Sequence, residues 1–128
     1  MYKAVLMDHF RNPRNKKSIE EPDFSSGQYS PSCGDSITIE GKIEKDKEGI
    51  LRIKDLGFDG FGCVISIATA SLLTQHCIGK RVDEVLAMKK DDILKLLDMD
   101  LGHMRIKCAL LSLEVLKKGL EKFKDEQK

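Results

Sequence analysis

The chain lacks the marks of several large functional classes. Formal net charge is only +1, and no stretch gathers Lys and Arg without interleaved acids. The concentrated basic footprint of a nucleic-acid binder is therefore missing. No apolar run approaches membrane-spanning length, and the one in Met1–Met7 is too short for a secretory signal. Together these absences predict a cytoplasmic protein with neither nucleic acid nor membrane among its partners. Internal repeats, low-complexity tracts and long linkers are also missing, so residues 1–128 are expected to form a single domain. The chain has no Ser/His/Asp motif, no phosphate-binding glycine loop and no His-Glu-x-x-His, which removes the common hydrolase and nucleotide-dependent classes. Nor do its four cysteines form the C-x-x-C pairs of a strong zinc signature.

What the chain does have is 41% apolar and 34% charged residues, the balance of a globular protein. Tyr2, Val5, Leu6 and Phe10 have helical spacing, and Asn12-Pro13 should stop that helix. Asn15–Gly27 is polar and reads as a loop. Ser36–Glu44 alternates, with Ile37, Ile39 and Ile43 on one side and polar residues on the other, which is a strand with one wet face. Asp46-Lys47-Glu48-Gly49 is a turn into a second strand, Ile50–Phe58, whose phase slips as a bulge at Asp55 would make it. A further strand at Gln28–Ser30 extends this hairpin. Val64–Ile78 is apolar almost all round and predicts a buried helix ending at Gly79. Val82–Met88 and Asp91–Leu97 are shorter helical pieces, the second capped by Asp91 or Asp92. The last helix carries Ile106, Leu110, Leu113, Leu116, Leu120 and Phe123 on its inner face, with an i,i+4 Glu114–Lys118 pair outside. Strands followed by helices imply an α+β fold, a small antiparallel sheet of about three strands with helices packed on one face.

The cysteines separate by position. Cys33 lies in the turn entering the first clear strand, Cys63 at the junction of the second strand with the buried helix, and Cys108 near the start of the last helix. Cys77 lies about 21 Å from Cys63 if the intervening residues rise as one helix. Ligands of one metal ion must lie within roughly 4 Å of each other, given bonds of about 2.3 Å to sulfur. Cys77 is thus a core cysteine, while Cys33, Cys63 and Cys108 can converge on one rim. A helix N-terminus favours thiolate at Cys63 and Cys108. Gly34 and Gly62 give backbone freedom and close access beside Cys33 and Cys63, and Asp35 offers an oxygen as fourth ligand. A carboxylate among thiolates should hold soft cargo less firmly, which suits a carrier. Spacing alone leaves the alternative standing that these are inert core cysteines and that Asp35 is a turn residue.

Asp8-His9-Phe10-Arg11-Asn12-Pro13-Arg14-Asn15, Cys33-Gly34-Asp35, Gly62-Cys63 and Ile106-Lys107-Cys108-Ala109-Leu110-Leu111 occur in the order found in IscU/NifU-type iron–sulfur cluster assembly scaffolds. The chain resembles that family from about Tyr2 to Lys122. The resemblance implies a SufE/IscU-like α+β fold and a non-enzymatic scaffold. Such a protein accepts sulfur from a cysteine desulfurase, builds a transient [2Fe–2S] cluster with iron and passes it to acceptor proteins, and it can carry zinc at the same site. It further implies that Cys33, Asp35, Cys63 and Cys108 hold the cluster or metal, with Cys33, Cys63 and Cys108 the candidates for persulfide. Two departures bear on this. Lys107 stands where IscU has a histidine, and Leu101-Gly102-His103-Met104-Arg105 replaces the chaperone-recognition segment, so binding of the Hsp70-type chaperone does not carry over. Lys107 and Gly62-Cys63-Val64-Ile65-Ser66-Ile67-Ala68 instead resemble SufU, whose insertion between the second and third cysteines this chain lacks. That branch implies the alternative of a zinc-dependent sulfurtransferase activating a desulfurase. His103 is a replacement ligand ranked below Asp35, and Lys107 a charge able to steady nearby thiolates. His9 and His76 read as helix residues, His9 within a motif suited to partner contact.

Overall fold

The computed structural model describes residues 3–31, 34–98 and 103–127, the side chains of His103 and Met104 excepted. A short helix α1 (Ala4–Arg11) leads into three strands, β1 (Phe24–Ser30), β2 (Asp35–Lys45) and β3 (Leu51–Phe61). Four helices follow: α2 (Val64–Cys77), α3 (Val82–Leu86), α4 (Lys90–Leu97) and α5 (His103–Glu126). The sheet is antiparallel in the order β1-β2-β3. Alternation in β2 sends Ile37 and Ile39 to one face, both fully buried, while Thr38 between them stays exposed. α5 lies over β1 and β2, α2 lies against β3 and α5, and α1 packs on α2. The expected α+β architecture is the one observed.

Local chemistry accounts for the breaks. At the β2–β3 turn the Gly49 amide donates to the Asp46 carbonyl at 3.0 Å, with Gly49 at φ 81°, a left-handed value that glycine adopts without strain. The pairing Lys42↔Asp55 gives way to Ile43↔Ile53, so the bulge falls on Lys54, one residue from the expected Asp55. α2 ends at Cys77, two residues before Gly79 at φ 90°. α4 begins one residue earlier than expected; Asp92 caps it by accepting the Lys89 amide at 2.8 Å.

Two expectations are corrected. Phe24 to Gly27, read as loop, form the first half of β1. Phe24 sits among polar and small residues and gives no alternation signal, but its ring is buried against Gly41 of β2 and Gly119 of α5, where a Cβ would collide with it. Glu114 and Lys118 are bridged through Gln28 of β1: the Gln28 amide donates to Glu114 at 3.3 Å, and Lys118 donates to the Gln28 carbonyl oxygen at 2.9 Å.

Candidate metal centre

Asp35 is the first residue of β2 and lies two positions before Ile37. Strand alternation therefore turns it to the helix-covered face, and it is only 1% exposed. Buried carboxylates need donors, and α2 supplies them. Cys63, the N-cap of α2, donates its backbone amide to Asp35 Oδ1 at 3.0 Å. Ser66, one turn into the helix, donates its hydroxyl to Asp35 Oδ2 at 2.5 Å. The Cys63 thiol lies 3.7 Å from the same Oδ2. An N-cap position usually carries its own side-chain acceptor. Here the cap is an Asp from another strand.

Gly62 makes this approach possible. A Cβ there would overlap the Asp35 carboxylate, and φ of 157° adds a second reason for glycine. The close access expected at Gly62 is the approach of Asp35 to the residue before Cys63. Gly34, at φ 71° with open space around its Cα, serves the turn.

Cys108 reaches the same place from α5. It is 6% exposed, and its carbonyl lies 3.4 Å from the Ser66 hydroxyl. Its position is a correction. Since α5 starts at His103, Cys108 is in the second turn rather than at the helix end. The dipole benefit, which fades within the first turn, applies to Cys63 and not to Cys108.

One ligand atom each from Asp35, Cys63 and Cys108 lies within 4.8 Å of the other two. Donors around a tetrahedral zinc ion are about 3.8 Å apart, given metal–sulfur bonds of about 2.3 Å. The trio needs only a small closure to fit. Cys63 is half-buried and opens the group toward solvent, whereas Asp35 and Cys108 line its floor. Cys33 lies outside the described residues, as does the His103 side chain. Lys107 is exposed on α5 beside Cys108.

The whole chain, residues 1–128, matches the model of the NifU-like N-terminal domain. The chain belongs to the NifU-like N-terminal domain family. Within that family it is 35% identical to the zinc-dependent sulfurtransferase SufU of Bacillus subtilis (strain 168), covering 95% of this chain and 90% of that protein. Their alignment runs over 139 residues against the 128 of this chain, so the Bacillus protein carries residues absent here. It is 33% identical to the iron–sulfur cluster assembly scaffold protein IscU of Escherichia coli (strain K12), covering 98% of this chain and 96% of that one. The fold matches a scaffold protein described for the SUF system of Fervidobacterium islandicum AW-1. The TM-score is 0.79 at 24% identity, over 93% of this chain and 96% of that one.

The remaining candidates lie elsewhere. Cys77 is fully buried, its thiol 3.8 Å from the Met88 sulfur, and burial pushes that thiol up to about 12. His76 is exposed near the far end of α2, beside a cavity of about 230 Å³ lined by Lys80, Glu84, Met88 and Asp92. One side of the motif Asp8–Asn15 turns inward. His9 is buried with Nδ1 2.7 Å from the Ser71 hydroxyl, the Arg14 amide donates to that hydroxyl at 2.8 Å, and the Asn15 side chain donates to Thr74 at 3.1 Å. Arg14 also pairs with Asp8 at 2.6 Å. These contacts fasten α1 and the following loop to α2, while Asp8, Arg11 and Asn12 of the same motif stay exposed.

Ser66 is the site residue that sequence reasoning missed. Its signal was the i,i+3 spacing from Cys63, which puts both on one face of α2.

Proposed function

We propose that this protein is an iron–sulfur cluster assembly scaffold. It accepts sulfur from a cysteine desulfurase, assembles a [2Fe–2S] cluster with iron and transfers the cluster to acceptor proteins. The convergence of Asp35, Cys63 and Cys108 from three different elements carries this reading. With Cys33 they make four ligands, two for each iron of a cluster bridged by sulfide. Sulfur arrives when a site cysteine thiolate attacks the terminal sulfur of the desulfurase persulfide. A new S–S bond forms on the scaffold, the old one breaks, and the donor cysteine leaves as thiolate; an external electron donor then supplies two electrons per sulfur, which cleave the persulfide to cluster sulfide and free the site thiolate. Asp35 contributes oxygen, a harder donor than thiolate, and so favours release over permanent storage. Membership of the family that includes scaffold proteins named IscU supports the same reading.

Zinc suits the same donors, and the similarity to a zinc-dependent sulfurtransferase favours a second reading in which zinc is resident and a released thiolate carries sulfur. The two readings are separated by anaerobic reconstitution with ferrous iron, cysteine, a dithiol reductant and a cysteine desulfurase. A scaffold acquires the visible absorption and circular dichroism of a [2Fe–2S] cluster, lost in Cys63→Ser and Cys108→Ser, and passes it to an apo-ferredoxin. Failure to build a cluster, with desulfurase stimulation that vanishes on zinc removal, would instead establish the sulfurtransferase.

A further inference from the structure

We propose that Ser66 is a positioning residue that fixes the metal-facing oxygen of Asp35. The proposal rests on the reading of Asp35, Cys63 and Cys108 as the metal-holding set, and it assigns a role to a side chain outside that set.

Asp35 enters the site with two different oxygens. Oδ1 accepts the Cys63 backbone amide at 3.0 Å, and Oδ2 faces the Cys63 thiol at 3.7 Å. Oδ2 is thus the oxygen beside the Cys63 sulfur. A carboxylate held at one oxygen alone can still pivot about that contact and swing its other oxygen aside. Ser66 stops the pivot by donating its hydroxyl to Oδ2 at 2.5 Å. Each carboxylate oxygen has two lone pairs; the second on Oδ2 faces the Cys63 thiol and becomes free for a metal once that thiol gives up its proton to bind as thiolate.

Ser66 is itself held. It is 1% exposed, on the third residue of α2, where the helix backbone sets its direction. Its hydroxyl lies 3.4 Å from the Cys108 carbonyl and 3.7 Å from the Cys63 thiol. One buried hydroxyl therefore touches each of Asp35, Cys63 and Cys108. Thr74, further along the same helix, behaves differently: its hydroxyl bonds the Ala70 and Ser71 carbonyls of its own helix, the usual outlet for a helical hydroxyl. Ser66 is turned toward the site, which is the arrangement by which outer hydrogen bonds orient metal ligands.

The test is zinc affinity by competition with a chromophoric chelator, with heat denaturation of the metal-free proteins run in parallel. Ser66→Ala is expected to lose about tenfold in zinc affinity, within the range seen for outer-shell partners. Ser66→Thr, which keeps the hydroxyl, is expected to stay within about threefold of the native chain. On an Asp35→Ala background, Ser66→Ala is expected to cost nothing further, because the group it positions is gone. Native affinity in Ser66→Ala overturns the proposal. So does a tenfold loss that persists without Asp35, or a change confined to melting temperature. If Ser66→Ala does not fold, Ser66→Thr and Ser66→Val are matched in shape and differ by the hydroxyl, and equal affinity in that pair overturns the proposal as well. Failure of the underlying reading looks different: the native chain would not bind zinc, or Asp35→Ala would bind it undiminished.

Discussion

Gly62 lies so close to Asp35 that a Cβ on the glycine would overlap the carboxylate. The threatened oxygen, Oδ1, is the one that accepts the Cys63 amide, and Oδ2 is held by Ser66, so the carboxylate cannot yield without losing those bonds. Gly62→Ala is therefore expected to displace Asp35 rather than be absorbed. The predicted outcome is a folded protein, destabilised by about 1–3 kcal/mol through overpacking, with zinc affinity at least about tenfold weaker. Chelator competition measures this, and native affinity in the alanine variant would show that Asp35 is not a ligand in the arrangement described.

Asp35 also matters before any metal binds. Its removal strips acceptors from the Cys63 amide and the Ser66 hydroxyl. Asp35→Ala is expected to lower the stability of the metal-free protein by about 1–3 kcal/mol, the cost of unsatisfied buried donors. Asp35→Asn keeps a carbonyl oxygen for one of them and should lose less. Urea unfolding of the chelator-treated proteins gives both values, and equal stability in all three would mean that these bonds contribute nothing.

Cys77 and Cys63 should differ in reactivity. Cys77 is fully buried with its thiol pushed up to about 12, so it is almost wholly protonated at pH 8 and shielded from reagents. Brief alkylation of the metal-free protein at pH 8, followed by peptide mass spectrometry, should label Cys63 and leave Cys77 unmodified until denaturant is added. Labelling of Cys77 at the rate of Cys63 would contradict its place in the core. Cys77→Ala should leave zinc affinity unchanged.

His9 gives the fold a pH dependence. Burial, and then the Arg14 charge, hold its pKa below the ordinary 6.5, while the nearby Asp8 charge opposes them weakly. Facing it from α2 is the neutral Ser71 hydroxyl. Well above pH 6.5 His9 is neutral in both folded and unfolded chains and adds no pH dependence. As pH falls below 6.5 the unfolded chain takes up a proton before the folded one does, so stability declines until pH passes the folded value. Urea midpoints between pH 8 and pH 5 should show this decline in the native chain and less of it in His9→Gln. An identical profile in the two would assign the dependence to other groups.

Much of this architecture was legible in the one-dimensional pattern because its elements obey local rules. The 2-residue period of β2, the apolar run of α2 and the glycines at 49 and 79 are signals carried by neighbouring residues, and each lies where those signals put it. Local rules fail where burial comes from afar. Phe24 makes a strand because Gly41 and Gly119 leave room for its ring, and nothing adjacent to Phe24 says so. The inward turn of the Asp8–Asn15 motif depends likewise on Ser71 and Thr74, about 60 residues away in the chain.

The site divides in the same way. By itself the sequence set Cys77 apart, since helical rise separates it from Cys63. It also marked Cys63 as a thiol at a helix N-terminus and offered Asp35, outside the expected strand Ser36–Glu44, as an oxygen ligand or a turn residue. Only the tertiary structure decided that Asp35 would cap α2 across the fold, that Gly62 would make room for it, and that Ser66 would hold its second oxygen. It also moved Cys108 from a helix end to a second turn. The reason is physical: the contacts of Asp35 with Gly62, Cys63 and Ser66 join residues 27 to 31 positions apart, beyond the reach of any local pattern. Periodicity specifies which way a side chain points, and packing alone specifies what it meets.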